Sequence, residues 1–124
     1  MNSTTSMLGL AVLVIVGLIG VAVVKDRLPS KYDGFAQCIQ DNGGRVYTAS
    51  WCPNCEAQLA MFGSATKNLN NKECSIPGGP NDLELCKGDD ITAVPTWETA
   101  DGERFSGVTS LETLAETFGC ELPQ

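Results

Sequence analysis

Two cysteines separated by two residues stand in the stretch SWCPNC, which runs from Ser50 to Cys55. Residues of this type and spacing can form a redox-active dithiol, half of a metal site or a short structural crosslink. If a helix begins at Pro53, the thiolate of Cys52 lies among unpaired backbone N–H groups at the positive end of the helix dipole, which lowers its pKa. Cys55 then lies one turn deeper and can attack a mixed disulfide on Cys52. The spacing therefore predicts Cys52 as the nucleophile and Cys55 as the resolving cysteine.

The metal and crosslink interpretations of the pair fit the sequence less well. Cys74 and Cys86 could complete a set of four zinc ligands, but zinc ribbons usually show two close pairs and this chain has one. A purely structural bond between Cys52 and Cys55 would restrain almost nothing, because it closes a very short loop. We therefore expect no metal and no cofactor.

A strand must precede the pair and a helix must follow it for this chemistry to work. The run RVYTA, Arg45 to Ala49, is rich in strand formers. Residues 53 to about 69 are mostly helix formers, with apolar residues near helical spacing. Upstream, a short helix is predicted from Tyr32 to Asp41, ended by the Asn-Gly-Gly that follows.

The elements after this helix continue an alternating pattern. A hairpin is predicted about the turn Asp101-Gly102. Thr109 and Glu112 are predicted to form a capping box for the last helix, which Gly119 ends. The other predicted ranges are 71–75 for a strand, 81–87 for a short helix, and 96–99 with 103–105 for the hairpin strands. The order is βαβαββα with an added first helix, which is an α/β fold.

Two segments together resemble the thioredoxin family. They are VYTASWCPNC, with an aromatic residue before the cysteine pair, and AVPTW about forty residues later. The segments YTASWCPNCEAQLAMFG, ELC, VPTW and GVTSLETLAETFG resemble more closely the thioredoxin-like domain associated with bacterial vitamin K epoxide reductase homologues. This resemblance covers Val46 to Gly119 and implies a thioredoxin-like fold, with a central mixed sheet flanked by helices.

The resemblance also implies a substrate-binding surface beside the dithiol. In the family, the proline at the position of Pro95 is cis and faces the cysteines. A cis X-Pro bond lacks the local donor that would continue a strand, so the backbone of Val94 could pair with a substrate peptide. Trp51 and Pro53 complete the expected surface, Trp51 by shielding the dithiol and contacting substrates as its equivalent in thioredoxins does.

The chain departs from ordinary thioredoxins at three positions near the cysteines. Val46 stands where thioredoxins carry a buried acid, and Glu56 stands where a lysine often follows the second cysteine. Proton transfer to Cys55 is therefore left to water or to Glu56. Asn54 stands where strongly oxidising relatives have histidine, and it brings no positive charge to the thiolate. We therefore expect a redox potential between thioredoxin and the strongest oxidants.

The other four cysteines are expected to form two structural disulfides. A bond between Cys74 and Cys86 would restrain the loop between them by about 3 kcal/mol in the chain-entropy model, and the related domain carries a pair at similar spacing. A bond between Cys38 and Cys120 would tie the first helix to the end of the fold, for about 4.5 kcal/mol. The alternative is a relay role for Cys38 or Cys120.

The N-terminal segment carries no charged side chain as far as Val24, and it is apolar from Met7 onward. At about 1.5 Å per residue, this run could just cross a hydrocarbon core of roughly 30 Å. We predict a transmembrane anchor at 1–24, a linker at 25–34 and the thioredoxin-like domain at 35–124. A cleaved signal peptide is the alternative, although the basic segment that such peptides carry is missing.

Charge and cysteine content give conflicting indications of orientation. Lys25, Arg27 and Lys31 follow the apolar run, and the positive-inside rule alone would place the domain in the cytoplasm. Six cysteines indicate an oxidising compartment, and we give them more weight. The prediction is a single-pass protein of the cell membrane with an extracytoplasmic domain. The net charge of -7 argues against nucleic acid as a partner.

The resemblance completes a functional hypothesis. Together with the predicted anchor and the cysteine content, it implies a membrane-anchored thiol–disulfide oxidoreductase that acts on extracytoplasmic protein thiols and partners a quinone-linked membrane protein like vitamin K epoxide reductase. Two alternatives stay open. One is a reductase or isomerase fed by a membrane electron carrier, because CxxC chemistry runs in both directions. The other is a thioredoxin-like binding module without turnover.

Overall fold

The computed structural model describes the backbone of residues 3–124 and, apart from residues 3–5 and 22–27, their side chains. The first helix, α1, is Ser3–Arg27. Its described side chains, from Ser6 to Val21, are exposed. Met1 and Asn2, and the side chains at both ends of the predicted anchor over 1–24, lie outside the described part. Within that part, no helix combines the length and the apolar character that crossing a membrane requires, so the predicted transmembrane helix is not confirmed.

The centre of the fold is a four-stranded mixed sheet in the order β2-β1-β3-β4. Strand β1 pairs in parallel with β2, with Thr48 opposite Glu73, and antiparallel with β3, with Val46 opposite Trp97. Strand β4 extends the sheet antiparallel to β3. The strands are β1 (Arg45–Thr48), β2 (Asn71–Glu73), β3 (Thr96–Glu98) and β4 (Arg104–Ser106). Beside the sheet lie α2 (Asp33–Asp41), α3 (Pro53–Ala60) and α4 (Leu111–Phe118).

An aromatic cluster forms the centre of the main core. The rings of Phe35 and Phe62 stack with their centroids 5.8 Å apart, and Trp97 lies 6.2 Å from Phe62 and 5.9 Å from Phe118. These four side chains come from α2, the segment after α3, β3 and α4, so burying them joins the helices to the sheet. The added helix α2 is thus part of the core through its apolar face.

The helix after the cysteine pair is shorter than predicted. It ends at Ala60, and a 3-10 helix, Gly63–Asn68, follows it in place of a continuous helix to residue 69. Gly63 takes a left-handed backbone with φ of 56°, which interrupts the α-helical path. Phe62, just before this break, is completely buried. The chain therefore turns directly after Phe62 enters the core, at a position where helix propensity predicted a continuous helix.

The start of the last helix also differs from the prediction, by one residue. Ser110 is the N-cap of α4, and its hydroxyl accepts the backbone N–H of Thr113 at 3.2 Å. The predicted cap, Thr109, instead donates its own backbone N–H to the buried Gln58 at 2.7 Å. The predicted stop is confirmed, because Gly119 ends the helix in the left-handed conformation.

The hairpin is confirmed, and two short elements are displaced. Strands β3 and β4 pair about the predicted turn, where Gly102 has φ of 85°. Strand β2 begins as predicted but ends two residues early. The helix predicted at 81–87 is a second 3-10 helix, Glu84–Asp89. It begins late because the Asp82 carboxylate accepts the backbone N–H of Glu84 at 3.2 Å and marks its start.

A mixed sheet flanked by helices, with a cysteine pair where the helix after β1 begins, is consistent with a thioredoxin-like fold. The prediction of the α/β class is therefore confirmed. This topology carries the chain directly from the central strand β1 into the cysteine pair.

Candidate active site

Cys52 caps the helix that carries the cysteine pair. Its backbone is extended, with φ of -92° and ψ of 109°, and Pro53 occupies the first turn of α3. The backbone N–H of Cys55 donates to the Cys52 sulfur at 3.1 Å. An N–H at a helix start has no acceptor within the helix, so the sulfur accepts a bond that would otherwise be missing. The predicted helix start is confirmed.

The two sulfurs are joined in a disulfide and are nearly enclosed. The Cα atoms of Cys52 and Cys55 are 5.3 Å apart. Cys52 is 6% exposed and Cys55 is 2% exposed. Ala49, Leu83 and Val94 pack against the pair. Cys52, at the helix end, is thus the more accessible of the two.

The loop before β3 borders the Cys52 sulfur. The carbonyl oxygen of Val94 lies 3.6 Å from Cys52 Sγ, and the peptide bond between Val94 and Pro95 is cis. Two hydrogen bonds fix this loop: Gly107 donates its backbone N–H to the Pro95 carbonyl at 2.9 Å, and the Thr96 hydroxyl donates to the backbone of the loop at 2.7 Å. The loop implied by the family resemblance therefore lies against the cysteine pair.

Trp51 lies on the outer side of the pair. It is 38% exposed, and its indole N–H donates to the backbone carbonyl of Asp82 at 3.1 Å. Asp82 belongs to the loop between Cys74 and Cys86, so Trp51 connects this loop to the motif. Pro53 is exposed on the same segment. The roles of Trp51, Pro53, Val94 and Pro95 in substrate binding stay predictions.

The other four cysteines lie in two further disulfides. Cys74 and Cys86 are completely buried and bonded, with Cα atoms 5.0 Å apart. Cys38 on α2 is bonded to Cys120, just after α4, with Cα atoms 5.9 Å apart. Leu83 and Val94 pack against both the cluster that contains the Cys74–Cys86 bond and the cluster that contains the Cys52–Cys55 bond, whereas the Cys38–Cys120 bond belongs to the main core.

Gln58, which was not predicted as a site residue, holds α3 in place. It is completely buried. Its Oε1 accepts the backbone N–H of Thr109 at 2.7 Å and the indole N–H of Trp97 at 3.3 Å, and its Nε2 donates to the Thr109 carbonyl at 3.0 Å. Its position three residues after Cys55, on the face of the helix that carries Cys55, is the only sequence signal that could have identified it.

A pocket of about 420 Å³ lies behind the cysteine pair, between α3 and the ends of β1 and β2. One of its walls is polar. Oε1 of Glu73 accepts the backbone N–H of Ser50 at 2.9 Å, the backbone N–H of Ser75 at 3.0 Å and the Ser75 hydroxyl. Glu56 also lines the pocket. Glu73 was not predicted as a site residue, and its one local signal in the sequence is its position next to Cys74 at the end of a strand.

The shifted pKa values belong to charged groups away from this pocket. The carboxylate of Asp89 accepts a hydrogen bond from Lys72, which lowers the pKa of Asp89. A hydrogen bond to Glu98 raises the pKa of Arg104. These pairs connect β2 to the second 3-10 helix and β3 to β4, and none of the four residues lines the pocket beside the cysteines.

No protein-family model matches the chain.

Proposed function

We propose that this protein is a thiol–disulfide oxidoreductase whose working group is the Cys52–Cys55 pair. The observation that carries the proposal is the bond from the Cys55 backbone N–H to the Cys52 sulfur at the first turn of α3. A thiolate on Cys52 would keep this bond and the favourable helix dipole, so Cys52 is a good leaving group and, when reduced, a good nucleophile.

The proposed reaction is the oxidation of a substrate dithiol. A substrate thiolate attacks Cys52 Sγ, the Cys52–Cys55 bond breaks, and Cys55 departs as a thiolate that takes up a proton. A second substrate thiolate then attacks the substrate sulfur of the mixed disulfide and releases the Cys52 thiolate. Two electrons pass from the substrate to the pair, which must be reoxidised. The greater exposure of Cys52 supports its role as the sulfur that is attacked.

We propose that protein thiols bind across Trp51, Pro53 and the backbone of Val94, with the completely buried Pro95 shaping the loop beneath them. The partial exposure of Trp51 and the contact between the Val94 carbonyl and the Cys52 sulfur support this surface. A backbone segment at this distance from the nucleophile can hold an extended peptide while its sulfur reacts.

We propose an extracytoplasmic setting for the domain, at the cell membrane. Three disulfides in one small domain support an oxidising compartment. The exposed apolar side chains of α1 support attachment to the membrane through the segment 1–24, with 25–34 as linker and 35–124 as the catalytic domain. A quinone-linked membrane oxidase like vitamin K epoxide reductase is the proposed partner, because it would return the pair to the disulfide state.

Disulfide transfer from the oxidised full-length chain to a reduced model peptide with two thiols tests the function. We expect one peptide disulfide to form for each chain whose Cys52–Cys55 bond is reduced. Cys52→Ser should lose transfer, and Cys55→Ser should trap a mixed disulfide between Cys52 and the peptide. The double variant Cys38→Ser with Cys120→Ser is the matched control and should transfer normally. Trapped adducts through Cys55 would reverse the assigned roles. Absence of transfer by the unaltered chain would favour a binding module without turnover.

A further inference from the structure

We propose that Glu73 exchanges the proton of Cys55, through water in the pocket behind the cysteine pair. This inference rests on the proposed function, because it concerns the step in which Cys55 resolves a mixed disulfide. Neither Glu56, the residue next to Cys55, nor the strand position Val46 takes this role.

The need for such a group follows from the burial of Cys55. Its side chain is 2% exposed, and a buried sulfur is a poor thiolate unless a neighbour accepts its proton. Val46 is completely buried in the hydrophobic core and has no group that can titrate. The pocket that Cys55 lines offers the proton a route out, because its volume of about 420 Å³ is enough for several water molecules at roughly 30 Å³ each.

Two carboxylates line this pocket beside the cysteines, and they differ in how firmly they are held. Glu56 is exposed on α3. Glu73 is half-buried, and three donors, from Ser50 and Ser75, fix its Oε1. In the part of the chain that the structure describes, these three bonds all reach Oε1, which leaves Oε2 to bind water in the pocket. A fixed carboxylate is better placed to exchange a proton with pocket water, because no side-chain freedom is lost when the water chain forms.

Charged groups on the neighbouring elements have partners outside the pocket. On β2, the Lys72 ammonium is paired with Asp89. On β1, the Arg45 guanidinium lies over the ring of Tyr47. The first 3-10 helix contributes the neutral residues Gly63 and Thr66 to the pocket lining. Among the described residues that line the pocket, Glu56 of α3 is thus the one charged group besides Glu73, and it defines the control.

The proposed step is balanced in atoms and electrons. The Cys55 thiol gives its proton to pocket water, which passes a proton to the Glu73 carboxylate. The Cys55 thiolate attacks Cys52 Sγ, the Cys52–Cys55 bond forms, and the bond from Cys52 to the outer sulfur breaks with its electron pair on the leaving thiolate. In the opposite direction, Glu73 returns the proton to Cys55 as it departs.

The test uses the full-length chain, with only the Cys52–Cys55 bond reduced, and an aromatic disulfide probe whose released thiolate is coloured. Attack by Cys52 releases the first thiolate, and resolution by Cys55 releases the second. We expect Glu73→Gln to slow the second release about tenfold or more near neutral pH and to leave the first within about twofold. Glutamine keeps an Oε1 for the three donors, so the loop keeps its anchor. The slowing of the second release in Glu73→Gln should diminish as the pH rises beyond the free-thiol pKa of about 8.5, because hydroxide then removes the Cys55 proton directly.

Glu56→Gln is the matched control and should leave both releases within about twofold of the unaltered chain. Glu73→Asp, which keeps a carboxylate, should resolve faster than Glu73→Gln at neutral pH. An unchanged second release in Glu73→Gln, an equal slowing of both releases, a deficit independent of pH, or a larger effect in Glu56→Gln would each overturn the proposal. If the unaltered chain releases no thiolate at all, the proposed function itself fails, which is a distinguishable result.

Discussion

At the scale of single residues, the site depends on two buried hydrogen-bonding groups. The Cys55 backbone N–H holds the Cys52 sulfur, and the Gln58 amide holds the helix that carries both cysteines. Gln58 and Trp97 are completely buried, and the Gln58 amide satisfies both the Trp97 indole N–H and the Thr109 backbone. Buried polar groups of this kind stabilise when all are paired and are costly when one partner is removed.

The first prediction concerns the free energy of unfolding of Gln58→Leu. The change leaves the Thr109 N–H and the Trp97 indole N–H without their acceptor, so we expect a loss of at least about 2 kcal/mol. Urea denaturation of the oxidised chain, followed by tryptophan fluorescence, measures it. Gln37→Leu, on the exposed side of α2, is the control and should change stability by less than about 0.5 kcal/mol. Equal effects of the two variants would contradict the role given to Gln58.

At the scale of elements, the segment between β2 and β3 controls how the cysteine pair is covered. The Cys74–Cys86 bond closes this segment, and the Asp82 carbonyl accepts the Trp51 indole N–H. Leu83 packs against the two buried clusters that contain the Cys74–Cys86 and the Cys52–Cys55 bonds. The Cys74–Cys86 bond is completely buried, whereas Cys52 and Cys120, in the other two bonds, are 6% and 7% exposed. Accessibility therefore separates the Cys74–Cys86 bond from the other two, and the Cys52–Cys55 bond differs from both because it closes by far the shortest loop.

The second prediction is that mild reductant opens the Cys52–Cys55 bond first and leaves the domain folded. Mass mapping after partial alkylation should find the first labels on Cys52 and Cys55. Early labels on Cys74, Cys86, Cys38 or Cys120 would instead indicate an electron relay. Cys74→Ser with Cys86→Ser should lower the free energy of unfolding by about 3 kcal/mol, because the loop between them gains freedom in the unfolded chain, and should still allow exchange at Cys52.

At the scale of the whole molecule, an exposed apolar helix precedes a small domain crosslinked at both ends. The described side chains of α1 are exposed, and the Cys38–Cys120 bond joins the added helix α2 to the segment after α4. Its two cysteines are 82 residues apart in the chain, so the bond limits the unfolded chain more than either of the others does. A small core reinforced in this way suits an oxidising compartment.

The third prediction concerns where the domain lies. In cells whose outer layers are opened, a membrane-impermeant protease should digest the domain, and the full-length chain should sediment with membranes. A chain lacking residues 1–24 should be recovered in the soluble fraction, which is the control for attachment. Complete protection while the membrane is intact would place the domain in the cytoplasm, in agreement with Lys25, Arg27 and Lys31, and would contradict the proposed oxidation of secreted thiols.

Several features of the fold follow from local sequence alone. The proline after Cys52 indicates a helix start, the Asp101-Gly102 turn indicates a hairpin, and Gly119 indicates a helix end; the structure has all three. Each depends on residues a few positions apart, whose backbone preferences act without the rest of the chain. The α/β class follows from the order of such elements.

What the sequence determined by itself is therefore the cysteine pair at a helix start and the order of elements around it. Only the tertiary structure showed which distant groups surround the pair. Gln58 binds Thr109, 51 residues away, which moves the cap of α4 to Ser110, and Glu73 binds Ser50, 23 residues away, which brings a carboxylate to the pocket behind Cys55. These contacts form because the parallel pairing of β1 with β2 and the packing of α3 on the sheet bring the groups together. The hydrophobic periodicity of the sequence indicates which face of an element is buried, but it does not indicate which polar groups will pair.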